Sequence, residues 1–209
     1  MKKSILVVGS VAFDDIETPV GKRFNALGGS AVYFSLAASQ FSQVNLVGVA
    51  GEDYPKAAID LLNRQGIDTT GLEIAPGPTF RWGGRYHQDL NNRDTLYTHL
   101  NVFANFSPKI PSVYQKTPVV FLGNIQPTVQ MEVLNQLPQP EFIGLDTMNL
   151  WINTTRAELM KIISRVNLLV INDSELEELT GTVNLFKGLK YLHKIGVRHI
   201  VIKQGEYGA

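Results

Sequence analysis

Between Val119 and Ile202, short apolar runs alternate with amphipathic stretches, and this alternation restricts the fold more than any other feature of the chain. Val119-Val120-Phe121-Leu122 precedes a helix expected around Thr128 to Leu137. Phe142-Ile143-Gly144-Leu145 precedes a helix expected to be capped near Thr154 or Thr155, with Glu158 placed for a capping box. Leu168-Leu169-Val170-Ile171 leads into a short helix from Glu175 to Leu179. Asn184 to Ile195 reads as an amphipathic helix ended by Gly196, followed by a strand at His199 to Ile202. Strands separated by helices are joined by crossovers, so they lie parallel and are covered on both faces. The expected class is α/β, with a doubly wound, mostly parallel sheet.

The first half fits the same sheet with one interruption. Ile5 to Val8 is β-branched and apolar, a buried strand closed by Gly9-Ser10 and followed shortly by Asp14. Gly28 and Gly29 stand where the chain turns into a helix of small and apolar residues, Ala31, Val32, Phe34, Leu36, Ala37 and Ala38. A glycine pair there leaves a ligand unobstructed by β-carbons and leaves the first helical amides free to face it. Val44 to Val49 is a further strand ending at Gly51-Glu52-Asp53. Asp53 is expected to cap a helix with Pro55 in its first turn, running through Leu62 and stopping at Gly66. From Ile67 to about Leu100 the character changes. Thr79 to Tyr86 alternates bulky and polar residues, Asn91 to Asp94 reads as a turn, and Thr95 to Thr98 pairs back. The expectation is a small antiparallel β flap contributed by residues 67–100, serving as a lid over a site or as an edge hairpin.

Several function classes are disfavoured. At 209 residues the chain is one α/β domain, or one with a small insertion. Lys+Arg and Asp+Glu number 19 each, so no global charge draws a polyanion, and no nucleic-acid partner is expected. There is no cysteine, hence no thiol nucleophile and no thiolate metal site. No apolar run is long enough to span a membrane, and the run after Met-Lys-Lys is too brief for a leader, so a cytoplasmic protein is expected. Neither a G-x-x-x-x-G-K-[ST] loop nor a G-x-G-x-x-G after the first strand is present, which counts against a P-loop site and a nicotinamide dehydrogenase. The four histidines lack metal-ligand spacing, although His87 with Asp89 is a candidate for touching substrate from the flap. No G-x-S-x-G elbow marks a serine hydrolase.

Polar residues collect after the strands: Ser10 and Asp14, Glu52 and Asp53, Asn124, Asp146 and Asn149, Asn172 and Glu175, Lys203 and Gln204. Parallel strands place all these carboxyl ends on one edge, where open α/β sheets bind ligands. A helix cap explains any single one; together they favour a polar small-molecule site.

Leu27-Gly28-Gly29-Ser30, Gly51-Glu52-Asp53, Asn172-Asp173-Ser174-Glu175 and Lys203-Gln204-Gly205-Glu206-Tyr207-Gly208 occur in an order that resembles the ribokinase-like (PfkB) carbohydrate kinases over the whole length given. The resemblance implies a ribokinase-like fold. It also implies ATP-dependent phosphorylation of a hydroxymethyl group on a sugar or nucleoside, with ATP and Mg²⁺ as cofactors. It assigns Asp14, Gly28 and Gly29 to the acceptor. Asn172 and Glu175 match the family's N-x-x-E, which organises magnesium and the phosphates, and Lys203, Gly205 and Gly208 match the start of its adenine-nucleotide site. A β flap that is both lid and dimer clasp is a family feature, so a homodimer is expected. Flap residues Arg81, Trp82, Arg85, Tyr86 and Asp89 are candidates for choosing the acceptor.

Two departures qualify what the resemblance implies. Tyr33 stands where ribokinase proper has an Asn, which counts against ribose itself. The family's Gly-Ala-Gly-Asp motif, carrying the anion hole and catalytic base, occurs nowhere in the 209 residues, so the catalytic residue is unassigned. The chain is therefore expected to be a domain incomplete at its C-terminus, a truncated product or a natural fragment with little turnover. A non-catalytic sugar- or nucleotide-binding fragment is the alternative.

Overall fold

A computed structural model describes residues 3–88, 90 and 92–209. The main sheet forms from the apolar runs. Strands β1 (Ile5–Val8) and β4 (Val44–Gly51) come from the first half, together with β5 (Ile67–Ala75). The second half supplies β8 (Val119–Leu122), β9 (Phe142–Asp146), β10 (Leu168–Asn172) and β11 (His199–Lys203). All seven are parallel, in the order β11-β10-β9-β8-β1-β4-β5. β1 lies at the reversal of strand order, so sequence neighbours diverge on either side of it and a crevice opens at its carboxyl end.

The helices cover the two faces. Helices α1 (Ser30–Ser39) and α2 (Lys56–Arg64) share a core with Val7, Leu46 and Ile67. Helices α3 (Pro127–Asn135), α5 (Arg156–Ile163), α6 (Asp173–Thr180) and α7 (Leu185–Lys194) share another with Leu6, Val8, Leu122 and Leu169, and the short α4 (Asn149–Thr154) adds Ile152 to it. Leu6 and Val8 fall in one core and Val7 in the other because successive side chains of a strand leave opposite faces. The Phe34 and Phe121 rings stack with centroids 3.5 Å apart, setting α1 on β8.

A second sheet stands apart from the first. It contains β2 (Ala12–Thr18), β3 (Gly21–Gly28), β6 (Phe80–Tyr86) and β7 (Arg93–His99), in the order β3-β2-β6-β7. The flap expected over residues 67–100 is corrected in two respects. Residues 67–75 are not part of it: β5 pairs in parallel with β4 as the edge of the main sheet, and half of such a strand faces solvent, which gives it the polar alternation of a flap strand. The lid is also mixed rather than antiparallel, because β2 and β6 run parallel, and half of it comes from residues 12–28 near the N-terminus. Asp89 and Asn91 lie outside the described residues.

Two expected caps are replaced. Asp53 does not cap α2, whose N-cap is Pro55. Its carboxylate instead accepts from the Thr79 amide at 2.7 Å and the Thr79 hydroxyl at 2.5 Å, while the Gly51 amide donates to that hydroxyl at 2.9 Å. Arg81 adds an ion pair to Asp53 at 3.6 Å and a hydrogen bond to Asn25 at 2.6 Å. The end of β4 therefore fastens the root of the lid. Thr155 precedes α5, but its hydroxyl donates to the Trp151 carbonyl, so no side chain caps that helix and the expected capping box with Glu158 does not form.

Candidate functional site

The site begins where β1 ends. The Ser30 amide donates to the Ser10 hydroxyl at 3.0 Å, and the Ala31 amide donates to the Ser10 carbonyl at 3.1 Å, docking the start of α1 on the strand end. Gly9 and Gly123 are bare because a β-carbon on either would come within 2.7 Å of the Ser30 hydroxyl. The glycine pair has a related reason. A β-carbon on Gly28 would lie 2.3–2.6 Å from the Asp14 carboxylate, and one on Gly29 would lie 2.3 Å from the Ser10 carbonyl. Gly29 also has φ +98°, which L side chains rarely adopt. The pair makes room for Asp14 and the β1 turn, a use of glycine the sequence alone leaves indistinct from a ligand approach.

Asp14 sits on β2, opposite Ala26 on β3 and Trp82 on β6. Burial, with the Asp15 charge beside it, pushes the Asp14 carboxyl from 3.8 up to about 6. Asp15 is held separately, accepting from the Asn25 amide at 2.7 Å and from the Tyr97 hydroxyl. A cleft of about 630 Å³ runs from Asp14, Ser10 and Gly29 past Tyr33 to Asn124 and Asn149, under Trp82 and Arg93 of the lid. The Trp151 indole N–H donates to Asn124 at 2.8 Å and fixes both at its floor.

The N-x-x-E segment forms the neighbouring part of the rim. Asn172 is the N-cap of α6: its side-chain oxygen accepts from the Glu175 amide at 2.7 Å, and a Glu175 carboxylate oxygen accepts from the Asn172 amide at 2.8 Å. This reciprocal box holds a nearly buried carboxylate at the strand edge. Burial raises the Glu175 pKa, the Asn172 amide and Lys203 oppose the rise, and Asp146 adds to it. Asp146, at the end of β9, is likewise pushed up by burial while Lys203 draws it down through an ion pair at 3.4 Å. Gly205 and Gly208 follow in a 3₁₀ turn closed by the Gln204 amide donating to the Gly208 carbonyl at 2.7 Å.

The fold thus sets Gly28 against the Asp14 carboxylate with Gly29 against the Ser10 carbonyl next to it, and gathers Asn172, Glu175 and Lys203 near Asp146. Arg93 joins the groups: it lines the Asp14 cleft, and its charge reaches Glu175. His87 pairs with Asp94 at 3.0 Å, exposed on the lid and away from the cleft lining. Arg81, offered as an acceptor-choosing residue, is occupied at the lid root. Arg85 pairs with Glu17 at 2.9 Å. Arg93 and Trp151 are cleft residues that sequence reasoning passed over, and Ser30 was read only as part of the glycine motif; a position three residues into the helix after a strand end was the available signal for Trp151.

Comparison with known proteins agrees with this geometry. The chain matches the sequence profile of the pfkB family carbohydrate kinase over residues 2–209. It is 28% identical over 213 residues to a cytidine kinase of Thermococcus kodakarensis, covering 98% of this chain and 74% of that protein. Its fold matches the nucleoside kinase of Methanocaldococcus jannaschii with a TM-score of 0.71 at 16% identity, over 97% of this chain and 71% of that one. It also matches the Burkholderia thailandensis nucleoside kinase, solved in complex with inosine, with a TM-score of 0.72 at 17% identity, over 98% of this chain and 71% of that one. With its motifs on one rim of a doubly wound sheet beneath a β lid, the chain belongs to the pfkB family of carbohydrate kinases, whose reaction is ATP-dependent phosphorylation of a sugar or nucleoside.

Proposed function

We propose that Asp14, Gly28 and Gly29 hold the hydroxyl acceptor, a sugar or nucleoside, and that Asn172, Glu175, Lys203, Gly205 and Gly208 border the ATP site. The observation that carries this reading is Asp14: a carboxylate turned into a cleft, short of solvent and beside a like charge, gains most when a ligand donates hydrogen bonds to it. Two vicinal hydroxyls supply those donors. Glu175 is buried and Asp146 half-buried, at adjacent strand ends, and Glu175 is penalised further by its neighbour, so their chemistry fits a divalent cation. Mg²⁺ held there would draw charge off the phosphates during transfer. Among the described residues no cluster of three or more His, Cys, Asp or Glu suits a metal, which leaves the remaining positions to phosphate oxygens and water. Lys203 keeps a cation at the same place, and the lid excludes water above the acceptor.

The test is calorimetric titration of a panel of sugars and nucleosides, and separately of MgATP, into wild type, Asp14→Ala and Glu175→Ala. Loss of acceptor affinity in the first variant and of MgATP affinity in the second is expected; acceptor binding indifferent to Asp14 refutes the assignment. The alternative carried over from the sequence is binding without turnover. Acceptor-dependent ADP release in a coupled assay separates the two. The outer edge of the lid, β3, carries exposed Phe24, with exposed Val20 in the turn that leads into it, and is proposed as the dimer surface. Sedimentation of wild type and Phe24→Glu checks this: a dimer that dissociates in the variant is expected. Among the described residues no helix is long and apolar enough to cross a membrane, which is consistent with a cytoplasmic location.

A further inference from the structure

We infer that the acceptor is a nucleoside and that Trp82 receives its base, an inference that rests on the kinase reading above. Asp14 and Trp82 are partners across the β2–β6 ladder, and Ala12 and Phe80 are partners two residues earlier. Partners in a ladder share a face, so the inner surface of the lid sets a carboxylate beside an indole and a phenyl ring. Trp82 is held there. A β-carbon on Gly84 would lie 2.0–2.7 Å from the Trp82 ring, so the indole lies along the strand over a bare glycine. The Arg93 guanidinium lies over the same ring, 5.7 Å from its centroid, so a base packs against this guanidinium–indole pair or takes the cation's place on the indole.

The apolar lining continues well beyond one ring. Phe80 stacks with Phe103 at 5.4 Å, and Leu100, Leu150 and Trp151 line the same cleft. Leu100 and Leu150 are 44% and 45% exposed, so apolar surface lies uncovered where the ligand enters. A free monosaccharide presents hydroxyls around its whole perimeter, and those facing this wall would lose water without gaining partners. A nucleoside divides as the cleft does: a diol for Asp14 at one end, and a flat, apolar-faced heterocycle for Trp82 and its neighbours. Arg93 adds N–H donors beside that ring, suited to a carbonyl or ring nitrogen on the base edge.

The experiment titrates cytidine, inosine, ribose and fructose into the 209-residue chain, wild type, Trp82→Ala, Gly84→Ala and Asp14→Ala. At least one nucleoside is expected to bind about tenfold or more tighter than either free sugar, the scale of one base stacked on an aromatic ring. Trp82→Ala is expected to narrow that ratio by about tenfold, and Gly84→Ala, which displaces the indole while keeping it, to narrow it in the same direction. A free sugar that binds as tightly as both nucleosides, and loses its affinity in Asp14→Ala, overturns the nucleoside inference while the kinase reading stands. Failure of both nucleosides to bind wild type overturns it too. Indifference of every ligand to Asp14→Ala removes the kinase reading itself. If Trp82→Ala does not fold, the wild-type ratio and Gly84→Ala still decide.

Discussion

Replacing Asp14 with Asn should make the protein more stable at alkaline pH while disabling its acceptor site. The carboxyl rises from 3.8 to about 6 on folding, chiefly because burial disfavours its charge. Between those values the folded chain retains a proton that the unfolded chain has lost, so stability falls as pH rises through the window and the full cost is present above it. At about 1.4 kcal/mol per tenfold change in proton affinity, the displacement amounts to about 3 kcal/mol. Asp14 is partly open to the cleft, so solvent screening reduces this to about 1–2 kcal/mol. Asn has the same shape and no charge to desolvate. Urea unfolding should therefore show Asp14→Asn about 1–2 kcal/mol more stable than wild type at pH 8, with the two converging near pH 4. In a thermal melt the gain corresponds to a rise in Tm of about 3–6 °C. The same variants read function in parallel. Wild-type affinity for the acceptor should weaken about tenfold per pH unit below pH ~6, where the carboxylate that accepts the hydroxyls is lost, and Asp14→Asn should bind weakly with no such slope. A variant less stable than wild type at pH 8, or one whose advantage persists unchanged at pH 4, would refute the reasoning, because either result means the buried charge carries no cost.

Other consequences are simpler. Gly29→Ala forces a β-carbon against the Ser10 carbonyl at φ +98° and should cost about 2–4 kcal/mol in urea unfolding, whereas an unchanged midpoint would discount the packing. Asn172→Ala opens the reciprocal cap of α6 and should cost about 1 kcal/mol, together with weaker MgATP binding by calorimetry. Asp53→Ala strips the buried Thr79 amide and hydroxyl of their acceptor, so a loss of about 1–3 kcal/mol and faster hydrogen exchange at Thr79 and along β6 are expected. Lys203→Met removes the cation between Asp146 and Glu175, and should weaken MgATP binding in a titration while leaving acceptor affinity in place.

The sequence was most legible where burial is two-sided. Leu6 to Val8 and Val119 to Leu122 must be apolar on every side chain, so their runs mark the central strands without ambiguity. β5 fails that test: as an edge strand it mixes Asp68, Thr69, Thr70 and Glu73 with apolar residues, and only its partner β4 shows where it belongs. The first half of the lid was missed because Asp14, Asp15, Glu17, Lys22 and Arg23 dilute β2 and β3 below the threshold of an apolar strand. Capping was misread at Asp53, where Thr79, distant in sequence, competes for the same oxygen, whereas Asn172 and Asn184, which do cap α6 and α7, were not singled out as caps. The contact of Asp14 with Gly28 depends on strand register, and that of Asp146 with Lys203 on strand order across β10, so each residue was visible singly and neither pairing was.

Asp14 is carried by the cover rather than by the floor. Because β2 is a strand of the second sheet and also the segment that leaves β1, a molecule held by this carboxylate bears on the roof through the same backbone. If that roof moves at all, capture and enclosure become a single mechanical event, since the guest would bring its own ceiling down.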